Sequence, residues 1–250
     1  MPNHVRSKIT MKNITKKDIF STNDDNERYL DFEKIIPMPE EIQNTKEDSV
    51  TYWGMLAYLV GCSDSINYYY RFMDNKPIIN KVVLPTKERI KEVAETLNIT
   101  VTELEEFGKQ YIENARKYGS VSWYDWSNLN WGCKWNSYDL YEEDNDNIFI
   151  STPWAPPDGI FVQLSKDNPY DRIYVRYANE DPSIGGYLEY LDGELIDAEE
   201  YDYQSEDSVA NYAELWGINY LEDESYYDYE EPLPAFSYNL IEDKGEKENG

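Results

Sequence analysis

The chain has a single histidine, His4. That excludes a zinc site built on two histidines and any acid–base mechanism that needs a histidine pair. Cysteine is nearly as scarce, with only Cys62 and Cys133, at a spacing that fits neither a disulfide framework nor a cysteine zinc site. A reducing compartment is therefore expected. No uninterrupted apolar run of about 18 residues is present, and no basic-then-apolar leader with a cleavage site. The expectation is a folded intracellular protein with no membrane contact. The phosphate-cradling GxxxxGK[ST], the dinucleotide GxGxxG, the esterase GxSxG and the metalloprotease HExxH patterns are all missing, which disfavours those chemistries. The most informative absence concerns positive charge: from Tyr177 to Asp243 there is no Lys or Arg against 20 Asp or Glu.

What is present divides the same way. Residues 1–140 carry 18 basic and 21 acidic residues, and residues 141–250 carry 5 and 29, so the net charge of -27 is a local property of the second part. Direct binding of nucleic acid is disfavoured there, because phosphate-neutralising cations dominate such affinity. A basic partner would be attracted. Charged residues at 29% would alone permit disorder, but 7 Trp, 24 Tyr and 7 Phe supply the apolar surface that disordered chains lack.

Along the chain, residues 4–11 alternate as a strand, and residues 13–26 are polar and broken. Residues 32–39 end in a two-proline bend expected to run along a surface. Residues 48–59 read as a helix with Gly61 as a stop. Ile90, Val93 and Leu97 repeat at helical spacing, and Thr100 with Glu103 forms a capping box that opens a helix reaching Gly119. Four tryptophans, Trp123, Trp126, Trp131 and Trp135, then fall within thirteen residues. Strands are expected at 146–152, 172–177 and 185–191. A helix lies between the first two, and an Asp192-Gly193 turn leads into 194–196. A last helix fits 206–217, and poor order is expected beyond Glu222.

This order is that of a split β-α-β arrangement. The expected fold class is α+β: a ferredoxin-like antiparallel sheet with helices on one face, a helical insertion and an acidic C-terminal extension. The expected domains are 1–192, with the insertion at about 48–118, and 193–250 as the extension.

Several words of the sequence resemble a known family. Met1-Pro2-Asn3-His4-Val5, Phe32 to Pro39, Trp131-Gly132-Cys133-Lys134-Trp135-Asn136, Trp154-Ala155-Pro156-Pro157 and Tyr177-Ala178-Asn179-Glu180-Asp181 are similar to words of the Api92-like or YubB-like plasmid and phage proteins. The likeness spans roughly residues 1–190. It implies a ferredoxin-like domain and a mobile-element setting, hence host-cell cytoplasm for a phage-encoded chain. It implies no biochemical activity.

The functional expectation follows from charge segregation. Carboxylates among aromatic rings imitate the field of a phosphate backbone, and a cationic groove would be steered to them. The expected partner is a basic nucleic-acid-binding host protein, such as a defence protein, blocked by a nucleic-acid mimic. Asp181, Glu189, Asp192, Glu194, Asp197, Glu199, Glu200, Asp202, Glu206 and Asp207 would supply the field, and Tyr187, Tyr190, Tyr201 and Tyr203 the contacts. Two alternatives stand beside it: a carboxylate-based, metal-dependent enzyme, and a structural or assembly protein whose acidic surface keeps it soluble. No cofactor, metal site or catalytic residue is assigned. Cys133 beside Lys134 is a formal candidate nucleophile with packing as the stronger reading, and the tryptophans read as core before they read as a stacking platform. The acids at 139–146 lack the glycine and terminal glutamate of a calcium loop.

Overall fold

Seven residues near the N-terminus form the centre of the sheet. In β1 (His4–Thr10) burial alternates strictly, with Val5, Ser7 and Ile9 inward and His4, Arg6, Lys8 and Thr10 on the opposite face. The computed structural model describes residues 3–45, 49–61 and 85–221. Cys62 and the poorly ordered tail expected beyond Glu222 lie outside the described residues.

A 3-10 turn (Ile14–Lys16) follows β1, then a small hairpin, β2 (Phe20–Thr22) and β3 (Arg28–Leu30). β2 falls in the stretch 13–26 expected to be broken and β3 lies just beyond it; three-residue strands are too short to show an alternation. Two single-turn helices come next, α1 (Phe32–Ile35) and α2 (Glu40–Gln43). The two-proline bend between them runs along the surface as expected, with Pro37 exposed and Pro39 half-buried, and only Met38 turns inward. The Glu33 carboxylate accepts the Met38 amide at 2.7 Å, and Met38 joins the core.

The helical insertion comprises α3 (Ser49–Gly61), α4 (Lys87–Thr96) and α5 (Val101–Tyr118). Its capping box is formed as expected: Thr100 accepts the Glu103 amide and the Glu103 carboxylate accepts the Thr100 amide. α3 and α5 cross backbone to backbone, since a Cβ on Gly108 would lie 1.8 Å from the Gly54 carbonyl oxygen. The insertion has its own apolar clusters, one around Tyr111 and Ile112 and one around Leu56 and Leu104. Glu41 ties it to the rest. Its carboxylate takes Lys117 at 2.9 Å and the Tyr118 hydroxyl at 3.0 Å, and its carbonyl takes Asn114.

The chain then runs through α6 (Trp123–Asn130), β4 (Tyr138–Glu142), β5 (Asn147–Pro153), α7 (Asp158–Asp167), β6 (Ile173–Asn179), β7 (Gly185–Leu191), β8 (Glu194–Glu200) and α8 (Glu206–Trp216). The sheet order is β4-β5-β1-β6-β7-β8, every neighbouring pair antiparallel. The first four strands, with the helices before β4 and after β5, make the ferredoxin-like arrangement. On one face Ile9, Ile148, Ile150, Ile173 and Val175 meet Ile160, Phe161 and Leu164 of α7 and the rings of Trp126 and Trp131. On the reverse, α8 covers a smaller cluster of Phe149, Ala178, Tyr212, Leu215 and Tyr220.

β7 and β8 join through Asp192 (φ 53°) and Gly193 (φ 86°), both left-handed, the pair a two-residue hairpin demands. The boundary expected at 192/193 falls inside this hairpin. β8 bonds along β7 and α8 packs on β6 and β7, so residues 194–216 are built into the sheet rather than appended to it. All seven β8 residues are exposed because it is the outermost strand, and such a strand has no buried face to show an apolar alternation.

Candidate acidic interaction surface

Strand geometry sorts the acids of this surface. Cross-strand partners share a face, and Glu194, Asp197 and Glu199 stand opposite Leu191, Glu189 and Tyr187, whereas Leu195, Ala198 and Glu200 stand on the other side of the sheet. A bulge between Glu189 and Tyr190 leaves Ile196 between the two sets. On the side of Asp197 and Glu199 lies a row of tyrosines. Tyr174 meets Tyr187 at 5.4 Å between ring centroids, and Tyr187 meets Tyr201 at 6.4 Å. The Tyr187 hydroxyl donates to Asp197 at 2.9 Å. That bond, with partial desolvation and the charges of Asp197 and Glu199, pushes the phenol up to about 12. The row has carboxylates along its outer edge.

The surface continues past β8. The Tyr201 amide donates to Gly185, and Tyr203 stacks on Tyr220 at 5.9 Å with planes 7° apart. Ser205 caps α8 by accepting the Ser208 amide, and Glu206 and Asp207 occupy the first turn, where the helix dipole favours negative charge. Asp202, Glu206 and Asp207 are exposed. Among the described residues, none of Glu194, Glu199, Glu200, Glu206 and Asp207 pairs with a cation.

The remaining expected site residues separate from this group. Tyr190 is a core residue, 1% exposed, its ring against Phe161 and its hydroxyl on the Asp158 carboxylate at 2.8 Å. It offers no contact surface, because Ile173, its cross-strand partner, places it on the apolar side of the sheet. Glu189 is neutralised by Arg172. Asp192 accepts the Tyr170 amide at 2.9 Å, and Asp181 shapes its own turn by accepting the Ser183 amide. Asp181 and Asp192 sit at opposite ends of β7, roughly 20 Å apart by strand rise. Sequence reading missed Tyr174 and Arg172. The alternation of Arg172-Ile173-Tyr174-Val175-Arg176 carries that signal, since it puts Arg172, Tyr174 and Arg176 on one face.

Cys133 is buried, and burial pushes its thiol up to about 12; its Sγ lies 3.2 Å from the Trp135 carbonyl, which fits packing and not nucleophilic attack. Trp126 and Trp131 are core rings in edge-to-face contact at 5.6 Å. Trp123 packs against the same core, and Trp135 is 37% exposed, so the four do not form a stacking platform. His4 places Nδ1 2.5 Å from the Tyr138 hydroxyl. Among the described residues there is no cluster of three or more potential metal ligands. Asp144, the best-placed acid of the 139–146 loop, accepts the amides of Asp146 and Asn147, which hold it below its ordinary range.

With this geometry in place, the comparisons with known proteins can be read. Residues 130–219 match the model of a family described as the ferredoxin-like domain in Api92-like protein. Over that segment the chain is similar to the Api92-like ferredoxin-like domain. The crystal structure of a protein api92 from Yersinia pseudotuberculosis is similar at 12% identity and a TM-score of 0.35, over 82% of this chain and 100% of that one. A search of curated proteins gives no match. The matched segment runs across 192 and takes in β8 and α8, while β1, at the centre of the sheet, lies outside it.

The words that carry the resemblance meet in the structure. The β1, β5 and β6 words close one end of the sheet: the Trp154 amide donates to Asn3, the Glu180 amide to His4 and the His4 amide to Glu180. Trp131 donates its indole N–H to Ile36 at 2.9 Å and packs on Phe32. Gly132 (φ 89°) sits so close to the proline turn that a Cβ there would lie 2.8 Å from the Asp158 amide nitrogen. These contacts are packing, and they account for the fold without supplying an activity.

Proposed function

We propose that the β8 rim of the Api92-like domain is a non-enzymatic binding surface for a basic, nucleic-acid-binding protein of the host, and that it competes there with nucleic acid. The mobile-element setting implied by the resemblance supports a defence protein as the target. One observation carries the reading: a fully exposed edge strand holds Glu194, Asp197, Glu199 and Glu200 without a cation among the described residues, beside the Tyr174, Tyr187 and Tyr201 row. Carboxylates spaced along a strand meet a cationic groove, and the rings give contact area at low entropy cost.

The test is capture from host lysate with the intact chain and with a Glu194→Gln, Asp197→Asn, Glu199→Gln, Glu200→Gln variant, at low and moderate salt. The expected result is one basic protein retained by the intact chain alone, less of it at higher salt, whose nucleic-acid binding the intact chain then inhibits in a purified assay. Equal capture by the variant, or no competition with nucleic acid, overturns the reading.

A second reading rests on the same strand. An edge strand presents unpaired backbone groups, and like charges along it prevent pairing with another copy. Under that reading the variant loses no partner and instead self-associates at high concentration, which sedimentation measures.

A further inference from the structure

The sheet face that α8 covers only in part carries a line of cations, and all but one are answered. Lys8 meets Glu143 at 2.7 Å and Glu214 at 2.9 Å. Arg176 also meets Glu214, and Arg172 meets Glu189. The side chain of Arg6, on the same face of β1, has neither an ion pair nor a hydrogen bond with any described residue, and its Nε is closed off from solvent with no acceptor. That nitrogen is out of reach of a ligand as well, so what Arg6 can offer is its terminal Nη pair, which in a chain with 50 acids has no carboxylate among the described residues.

Arg6 lines a cleft of about 340 Å³. Tyr141 and Phe149 form the sheet side with it, and residues 214–217, the end of α8, form the other. The Arg6 guanidinium carbon lies 5.9 Å from the Phe149 ring centroid, and Phe149 meets Tyr141 at 5.8 Å. The Trp216 indole is held by its N–H bond to the Ala178 carbonyl at 3.3 Å. The carboxylate in the wall, that of Glu214, is already shared between Lys8 and Arg176. Lys8 and Arg176 thus have carboxylates of their own, and Arg6 has none among the described residues.

We infer that this cleft binds a small oxyanion carried on a flat apolar group, with Arg6 as its anchor. A guanidinium fork matches a carboxylate or a phosphate through two parallel hydrogen bonds, and the fork on Arg6 is unspent. Phe149, Tyr141 and Trp216 supply the apolar walls for a ring. The volume sits at the small end of ligand pockets and suits a single-ring acid or ester rather than a polymer. This site lies on a different part of the molecule from the β8 rim and stands whatever the partner of that rim.

Full-length protein is titrated with phenyl phosphate and with phenylacetate, and separately with inorganic phosphate and benzyl alcohol, using ligand-detected NMR and calorimetry. Saturable binding is expected for at least one ring-bearing oxyanion, weaker by tenfold or more for inorganic phosphate and for benzyl alcohol. The stronger of phenyl phosphate and phenylacetate names the oxyanion. Arg6→Met keeps the apolar stem and removes the fork, and weakens binding at least tenfold; Arg6→Lys keeps the charge and weakens it several-fold. Tyr141→Ala alters a ring that is 57% exposed, so folding is safe, and it weakens binding several-fold even should Arg6→Met fail to fold. Absence of saturable binding for both ring-bearing probes overturns the inference, as does undiminished binding by whichever of Arg6→Met and Tyr141→Ala folds.

Discussion

β1 and β8 are strands of equal length in one sheet. On β1 every second side chain is buried, and its Lys8, the side chain only 13% exposed, is met by two carboxylates from other elements. On β8 all seven residues are exposed, and its carboxylates meet no cation among the described residues. Position in the sheet accounts for the difference. A strand with neighbours on both sides has the carboxylates of other elements within reach, as Lys8 does, whereas an edge strand faces water and keeps its charge available. Charge on Lys8 is thus part of the fold, while Arg6 of β1 and the acids of β8 are left unmatched among the described residues.

The largest test of that contrast is apolar. Ile9→Ala on β1 removes a side chain with 0% exposure and is expected to cost about 2–5 kcal/mol by urea unfolding. Ile196→Ala on β8, 44% exposed, is expected within about 0.5 kcal/mol of the parent. Similar losses at the two positions would mean that β8 is not an edge in solution.

Next in size is Glu214→Gln, which leaves Lys8 and Arg176 without their shared partner. All three are partly shielded, so a loss of about 1–2 kcal/mol is expected, less than for a fully buried pair. The pH dependence follows from direction. Burial opposes charge on Lys8, but its bonds to Glu143 and Glu214 outweigh that and raise it above 10.5; burial likewise opposes charge on Glu214, but Lys8 and Arg176 outweigh that and hold it below 4.5. The Glu214 contribution is therefore present above pH 4.5 and lost as pH falls through its lowered value. The Lys8 contribution is present below pH 10.5 and lost as pH rises through its raised one. The variant flattens the acid limb of the stability profile, and an unchanged limb contradicts the assignment.

Tyr190→Phe separates two tyrosines that look alike in sequence. It removes the hydroxyl bonded to Asp158 and is expected to cost about 1 kcal/mol while leaving partner capture untouched. Loss of capture without loss of stability would return Tyr190 to the binding surface.

Much of this was legible in advance where the pattern had a buried side to report. The alternation of residues 4–11, the Thr100–Glu103 capping box and the Asp192-Gly193 turn each specify a local conformation by their own chemistry, and each is formed. β2 and β3 were illegible because three residues hold no period. β8 and α8 looked like an extension because composition reports solvent exposure, and an exposed edge strand has the composition of a tail. The acids were legible as a group but not as a face: their sorting into Glu194, Asp197 and Glu199 against Glu200 depends on a bulge, and Arg172 neutralises Glu189 from the neighbouring strand. Arg6 was invisible, since only the folded sheet shows which cations have found carboxylates.

The smallest effect on the fold, and the most telling, belongs to the β8 acids themselves. Asp197 and Glu199 lie two residues apart on one face, roughly 6.6 Å along the strand, well inside the Debye length of about 10 Å at 0.1 M salt. Their repulsion is a standing cost that added salt relieves. The intact chain should therefore melt higher as salt rises from low to moderate, and the four-amide variant should melt within about 2 °C of it at moderate salt and depend on salt less. An equal salt response in the two would place the repulsion elsewhere in the chain. A melting point several degrees lower in the variant would show these carboxylates holding the sheet together, and the contrast with β1 would then fail at the strand on which it was drawn.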